Sequence, residues 1–222
     1  MIFFDIDGTL IDHASASAAA SLVFFDQFPG AIPFSREQYP AAWEEILNKH
    51  FKRWCRGEVS IWEQRRGRMR EVFAAPEMGD DEADSRYRIF IREYEQLTRP
   101  FEDAEPCLQR LAGQPLGIIS NGAREQQIGK LQRAGLMKYF SVMVYSEDVG
   151  LGKPSHRIFL EACRRAGDSY QQCVHIGDDL EADVAASRSL GMRGIHLSRA
   201  GNSPVGPPVI STLSALTEIL EN

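Results

Sequence analysis

Five short runs in this chain are apolar at nearly every position: residues 2–6, "LGIIS" at 116–120, "VMVY" at 142–145, "CVHIG" at 173–177 and "RGIHL" at 193–197. A strand with one wet face alternates apolar and polar residues. A continuous apolar run instead predicts a strand buried on both faces, as in parallel sheets. Helical patterns separate these runs. Residues 123–134 put Ile128 and Leu131 on one face, and Gly135 and Leu136 supply a C-terminal cap. Residues 155–166 follow Ser155, a good N-cap, and turn Ile158, Phe159, Ala162 and Cys163 inward. Residues 179–190 follow Gly-Asp-Asp and end at Gly191. Strand alternating with helix predicts an α/β fold with a doubly wound, Rossmann-like parallel sheet.

From about residue 13 to residue 98 the rhythm changes. No strand pattern occurs there, and about four helical patterns do. Residues 40–55 begin with Pro40, a suitable first helical residue, and carry Trp43, Ile46, Leu47, His50, Phe51 and Trp54 at helical spacing. Ser60-Ile-Trp-Glu63 is a capping box. Residues 83–97 place Tyr87, Phe90, Ile91, Tyr94 and Leu97 on one face. The pattern predicts a core domain of residues 1–12 and 99–222, interrupted by a helical domain of residues 13–98. "SRAGNSPVGPP" at 198–208 reads as a Pro/Gly-rich loop, followed by a short strand and a helix over 212–221.

Length and composition narrow the function classes. The 222 residues suit one large domain or a core with one insertion, and 43% hydrophobic residues suffice for a real core. The formal charge of −6 opposes a nucleic-acid or membrane-surface role. Cys55, Cys107, Cys163 and Cys173 form no Cys-x-x-Cys pair and read as buried small hydrophobes of a reducing compartment. The chain opens without a cationic segment leading into an apolar run, and "ASASAAASLVFF" is too short to span a bilayer. The cytoplasm is the expected location.

In parallel α/β sheets, ligands bind beyond the carboxyl ends of the strands. Each of the first four strands here runs into charged or polar residues. After the first come Asp5, Asp7 and Thr9; after the second, Ser120, Asn121 and Gly122. The third leads to Gly152-Lys153-Pro154, and the fourth to Gly177-Asp178-Asp179 with Asp183 a turn later. Each piece has an ordinary explanation. Asp-x-Asp and Ser-Asn-Gly make turns, Asp179 can cap a helix, and a lysine on a Gly/Pro loop has little to pack against. Together they predict acids, a hydroxyl and a lysine at one sheet edge. That set suits phosphoryl transfer: a nucleophile, a proton shuttle, a hard cation and positive charge for the moving phosphoryl group. Asp5 and Asp7 face the same way on an extended chain, and two like charges so placed call for a divalent cation. The histidines are scattered without metal-ligand spacing; His13 comes soon after the first motif, but a structural or surface role is the simpler one.

"DIDGTL", "ISNG", "GKP" and "GDDLEAD" resemble, in order, the four motifs of the haloacid-dehalogenase-like hydrolases. The helical insertion resembles the cap of the helical-lid phosphatase class. The resemblance implies a Mg²⁺-dependent phosphatase acting on a small phosphorylated metabolite, a nucleotide or sugar phosphate, as a monomer or homodimer. Asp5 would be the nucleophile and Asp7 the general acid and base. Ser120, with Asn121 and Lys153, would bind the phosphoryl group, Lys153 also holding Asp5. Mg²⁺ would be held by Asp5, the Asp7 backbone carbonyl and Asp178, with Asp179 or Asp183 in an outer role. Asp7 speaks against the dehalogenase and phosphonatase branches, which lack it. A sugar-phosphate mutase, a receiver domain and a non-catalytic phosphate-binding relative are the alternatives; the length and intact motifs oppose the last two. "SEDVGLGKPSHRIF" and "NKHFKRWCRGEVSIWEQRRGRM" are similar to the branch of pyrimidine 5′-nucleotidases and N-acylneuraminate-9-phosphatase. Asn48, Trp54, Arg65 and Arg68 are the cap candidates for substrate contact, against the simpler expectation of packing for the tryptophan and solvent for the arginines.

Overall fold

The computed structural model of the chain describes residues 1–201 and 208–221. Most of the expected Pro/Gly-rich loop, residues 202–207, lies outside the described residues. The strands are β1 (Ile2–Phe4), β2 (Leu116–Ser120), β3 (Val142–Tyr145), β4 (Val174–Gly177), β5 (Arg193–Leu197) and β6 (Val209–Ile210). The helices are α1 (His13–Asp26), α2 (Tyr39–Cys55), α3 (Ile61–Val72), α4 (Asp80–Leu97), α5 (Ala104–Arg110), α6 (Arg124–Arg133), α7 (Ser146–Val149), α8 (His156–Ala166), α9 (Ala186–Leu190) and α10 (Leu216–Glu221). The chain divides into two compact units, Met1–Asp12 with Pro100–Asn222, and His13–Arg99.

The first unit is built on one sheet, in the order β3-β2-β1-β4-β5-β6, every pair parallel. Alternating residues feed two cores, as a pleat requires. On β1, Ile2 and Phe4 join Leu116, Ile118 and Ile176 on one face, while Phe3 joins Ile119, Val144 and Phe159 on the other. The chain leaves β1 toward β2 on one side and returns to β4 on the other. Beside β1 the winding therefore reverses, which opens a crevice at the carboxyl ends.

Among the differences from the sequence pattern, three have a plain local reason. β1 stops at Phe4 rather than residue 6, because the Ile6 carbonyl accepts from the Leu10 and Ile11 amides and bends the chain into a tight loop. The helix expected over 179–190 opens as a π-helical turn, Leu180–Ala185, before becoming α9. The Asp179 carbonyl accepts from both Asp183 and Val184 amides, which widens that turn. The terminal helix starts as a 3₁₀ turn, Leu213–Ala215. Helix α5 had no apolar stripe strong enough to foresee.

The second unit consists of α1–α4, with no strand among its residues. Its core is aromatic: the Phe24 ring meets Phe28, Trp43, Phe73 and Phe90 at centroid distances of 4.9–6.2 Å. Trp43 is fully buried and its indole N–H donates to Ser17 Oγ at 3.2 Å. Ser60 and Glu63 form the reciprocal capping box at the start of α3. No helix among the described residues is long and apolar enough to cross a membrane.

Candidate active site

Asp5 and Asp7, expected to face the same way on an extended chain, lie at a tight loop after β1 and meet different partners, Lys153 for Asp5 and Lys130 with Gln127 for Asp7. Gly8 makes the loop possible. Its φ is +80°, and a Cβ there would lie 2.2 Å from an Asp178 carboxylate oxygen. Arg199 fixes the same loop. Its guanidinium donates to the Thr9 carbonyl (2.8 Å) and the Gly8 carbonyl (3.3 Å), pairs with Asp103 at 2.9 and 3.1 Å, and lies 3.6 Å from the Phe101 ring centre.

Lys153 lies at the centre of the charges. It is 4% exposed, and its Nζ donates to Asp5 Oδ1 at 2.6 Å and Asp183 Oδ1 at 2.5 Å. The sequence expectation of a lysine with little to pack against is corrected here: the side chain is buried, and among the described residues its ammonium donates to these two carboxylates alone. Its loop is pinned by Asn121, whose side chain donates to the Lys153 carbonyl and accepts from the Lys153 amide. Asp183 also accepts from the Asp179 amide and meets His175 Nε2 at 2.9 Å. A side chain on Gly177 would strike Asp183, so glycine there lets the carboxylate come in against the strand end.

Asp5, Asp178 and Asp183 offer oxygens that all lie within 4.8 Å of one another. Burial pushes Asp5 up to about 8, with Lys153 opposing and the neighbouring aspartates adding to the rise. Asp178 is also raised, by desolvation and then by Asp183. Asp183 goes the other way: burial would raise it, but Lys153 and His175 hold it well below the carboxylate range. His175 is lowered by burial, and Lys153 is raised because its two carboxylates outweigh its burial. Three carboxylates facing one lysine leave surplus negative charge. An all-oxygen set of this kind fits a hard divalent cation such as Mg²⁺.

Asp7 is held apart from this trio. Lys130 Nζ reaches both its oxygens, at 2.6 and 2.7 Å, and Gln127 Nε2 donates to Oδ2 at 2.9 Å. The same amide reaches Ser120 Oγ (3.0 Å) and the Asn121 carbonyl (2.9 Å). One side chain thus ties the end of β2 to Asp7.

The sequence profile described as haloacid dehalogenase-like hydrolase matches residues 1–191. The chain belongs to the haloacid dehalogenase-like hydrolases. A glyceraldehyde 3-phosphate phosphatase of Methanothermobacter thermautotrophicus is 29% identical over 237 residues, covering 99% of this chain and 98% of that protein. The pyrimidine 5′-nucleotidase YjjG of Escherichia coli is 28% identical over 221 residues, covering 98% and 95%. The structure of the HAD-hydrolase YfnB from Bacillus subtilis, bound to magnesium, shares the fold with a TM-score of 0.84 at 23% identity, covering 100% and 98%.

As a member of this hydrolase family the chain brings Asp5, Lys153, Asp178 and Asp183 together, with Ser120, Asn121 and Asp7 joined to them through Lys153 and Gln127. Asp179 stands aside: its carboxylate caps the next helix by accepting from the Glu181 and Ala182 amides. His13 meets the Tyr94 hydroxyl at 2.7 Å within the helical unit. Of the cap candidates, Asn48 is exposed and donates to Glu44, and Trp54 packs on Phe51. Arg68 is buried rather than solvent-facing. Lys130, Gln127, His175 and Arg199 were not foreseen. A lysine and a glutamine three apart on the helix after "ISNG" share a face, which was the available signal.

Proposed function

We propose that this hydrolase is a Mg²⁺-dependent phosphatase of small phosphate monoesters, nucleotide or sugar phosphates, that works through an aspartyl phosphate on Asp5. The observation that supports it most is the Lys153 bridge between Asp5 and Asp183, with Asp178 beside them. Both named relatives are phosphatases of small phosphorylated molecules. Asp5, Asp178 and the backbone carbonyl of Asp7 would hold the Mg²⁺, with Asp183 within reach. When bound, the ion adds the positive charge that favours an ionised Asp5 and screens its approach to an anionic ester.

The chemistry of the chain then runs in two displacements. An Asp5 carboxylate oxygen attacks phosphorus, and the bond from phosphorus to the leaving oxygen breaks while Asp7 gives that oxygen a proton. Lys153 and the Ser120 hydroxyl stabilise the phosphoryl oxygens. In the second step water attacks the phosphorus of the aspartyl phosphate and gives its proton to Asp7. The bond to Asp5 breaks and both aspartates return to their starting states. Lys130 and Gln127 act as positioning residues that fix where the Asp7 carboxylate rests. The helical unit serves as the cap domain and selects the leaving group, and the enzyme acts in the cytoplasm as a monomer or homodimer.

The test is phosphate release from a panel of nucleotides and sugar phosphates. Turnover should need added Mg²⁺ and stop on chelation. Full turnover in excess EDTA would contradict this function.

A further inference from the structure

The helical unit holds three buried polar atoms without a hydrogen-bond partner: the Tyr39 hydroxyl, Arg65 Nε and Arg68 Nε. Arg65 and Arg68 are three residues apart on α3 and so project from one face. Both guanidiniums lie over the same ring, Tyr87, at 4.9 and 5.6 Å. Arg65 also lies over Trp62 and Arg68 over Trp43. Arg68 is 5% exposed, and its one hydrogen bond among the described residues runs from Nη2 to Gln64 Oε1 at 3.0 Å.

Among the described residues no carboxylate pairs with either arginine. The unit does not lack acids. Arg66 takes Asp80 and Asp84, Arg70 takes Asp80, and Lys49 and His50 share Glu71. Those pairs serve other cations and leave Arg65 and Arg68 with aromatic faces and one amide oxygen. Aromatic faces offset only part of what a buried cation loses on leaving water. Burial holds Arg68 below its usual value and keeps the Tyr39 phenol protonated, hence a donor. After burial, Tyr87 and Glu44 act to raise Arg68 and Arg65 acts to lower it, and burial outweighs the rest. Among the described residues, neither guanidinium donates to an acceptor that carries negative charge. The planar fork of a guanidinium matches carboxylate and phosphate oxygens.

We propose that Arg65, Arg68 and Tyr39 form an oxyanion-binding subsite in the helical unit, which takes a carboxylate or phosphate group. That group arrives either on the phosphate ester, as a second anion on its leaving portion, or free in solution. Only the first source rests on the phosphatase function above.

The three tryptophans, Trp43, Trp54 and Trp62, all lie in the helical unit, so intrinsic tryptophan emission reports on it alone. Sodium glycolate and inorganic phosphate are titrated into the full chain, with chloride at matched ionic strength as control. At least one should give a saturable change that chloride does not. The change should disappear in Arg65→Gln and Arg68→Gln and persist in Asp5→Asn. Arg65 is only partly buried, so its variant remains informative if Arg68→Gln fails to fold.

Hydrolysis of phosphoglycolate and 2-hydroxyethyl phosphate, which differ by carboxylate against hydroxymethyl, separates the sources. A substrate-borne anion gives the parent at least about a tenfold kcat/KM preference for phosphoglycolate, as a charged hydrogen bond would, and the arginine variants lose it. A specific emission change with no such preference assigns the subsite to a free anion. An emission change with neither ester hydrolysed supports the subsite and contradicts the phosphatase function. No anion-specific change in the parent, or one that survives in both arginine variants, overturns the subsite.

Discussion

Lys153 and Arg68 are both cations with almost no exposure, and burial disfavours the charge of each, but their partners send them in opposite directions. Lys153 sits between Asp5 and Asp183, and the two carboxylates raise its pKa despite desolvation. Arg68 has aromatic rings and one amide oxygen, and desolvation lowers its pKa. The first charge joins Asp5 after β1 to Asp183 after β4 within one unit. The second has no carboxylate pair among the described residues and rests on two rings and Gln64. A buried cation is therefore not one kind of object: its partners decide whether its loss costs stability, chemistry, or neither.

The contrast can be broken most forcefully at Lys153. Lys153→Met leaves Asp5 and Asp183 facing each other. Removing one partner of a buried pair typically costs about 3–5 kcal/mol, and losing charge in a reacting site costs about a hundredfold or more in rate. Urea midpoints and kcat should both fall. A variant as stable as the parent would show that the network is not shared across the three groups.

Lys130→Met comes next. It removes both contacts from Lys130 to Asp7 but keeps Gln127. General acid–base help is typically worth about a hundredfold or more, so alkyl phosphates, which need a protonated leaving oxygen, should lose more of it than aryl phosphates. Equal loss on both ester classes would make Lys130 a packing residue.

Arg68→Met sharpens the other half of the comparison. A buried charge that no carboxylate pairs with, replaced by an apolar chain, should leave stability unchanged or raise it. A loss comparable to that of Lys153→Met, read from the same urea titration, would reveal a structural ion pair.

The smallest effect concerns pH. Burial would raise Asp103, but hydrogen bonds from Arg199, Thr212 and the Leu213 amide outweigh it and hold the carboxyl below its usual range. Its contribution is therefore complete above the ordinary carboxylate pKa, about 4, and fades as pH falls through the lower folded value. Melting temperature should drop below about pH 4 more steeply in the parent than in Asp103→Asn. Parallel curves would remove Asp103 from the acid response.

Much of the α/β unit was legible because fully apolar runs and helix caps are local signals. β2, β3 and β5 begin and end where the pattern put them, and Ser155 caps α8. Three motifs could be read because they come at the end of a strand; the fourth, Gly152-Lys153-Pro154, lies beyond α7, a short helix the pattern did not show between it and β3. What could not be read depends on neighbours far along the chain. That Lys130 reaches Asp7, or Arg199 the loop after β1, is a consequence of the sheet order, not of spacing. The π-helical turn at Leu180–Ala185 reflects a shared carbonyl that periodicity does not encode. Arg68 was misjudged because an arginine in a charged run looks solvated until its helix is packed.

The most direct test separates Asp5 from Asp7. Both are changed to asparagine, nearly the same shape, and each variant is mixed with an aryl phosphate, quenched rapidly and weighed intact. On the proposed mechanism Asp7→Asn keeps the nucleophile but lacks the base for hydrolysis, so one added phosphoryl group should persist, mapping to Asp5. Asp5→Asn should carry none. A label on Ser120 or a histidine, or none on Asp7→Asn and the parent alike, would contradict the aspartyl phosphate.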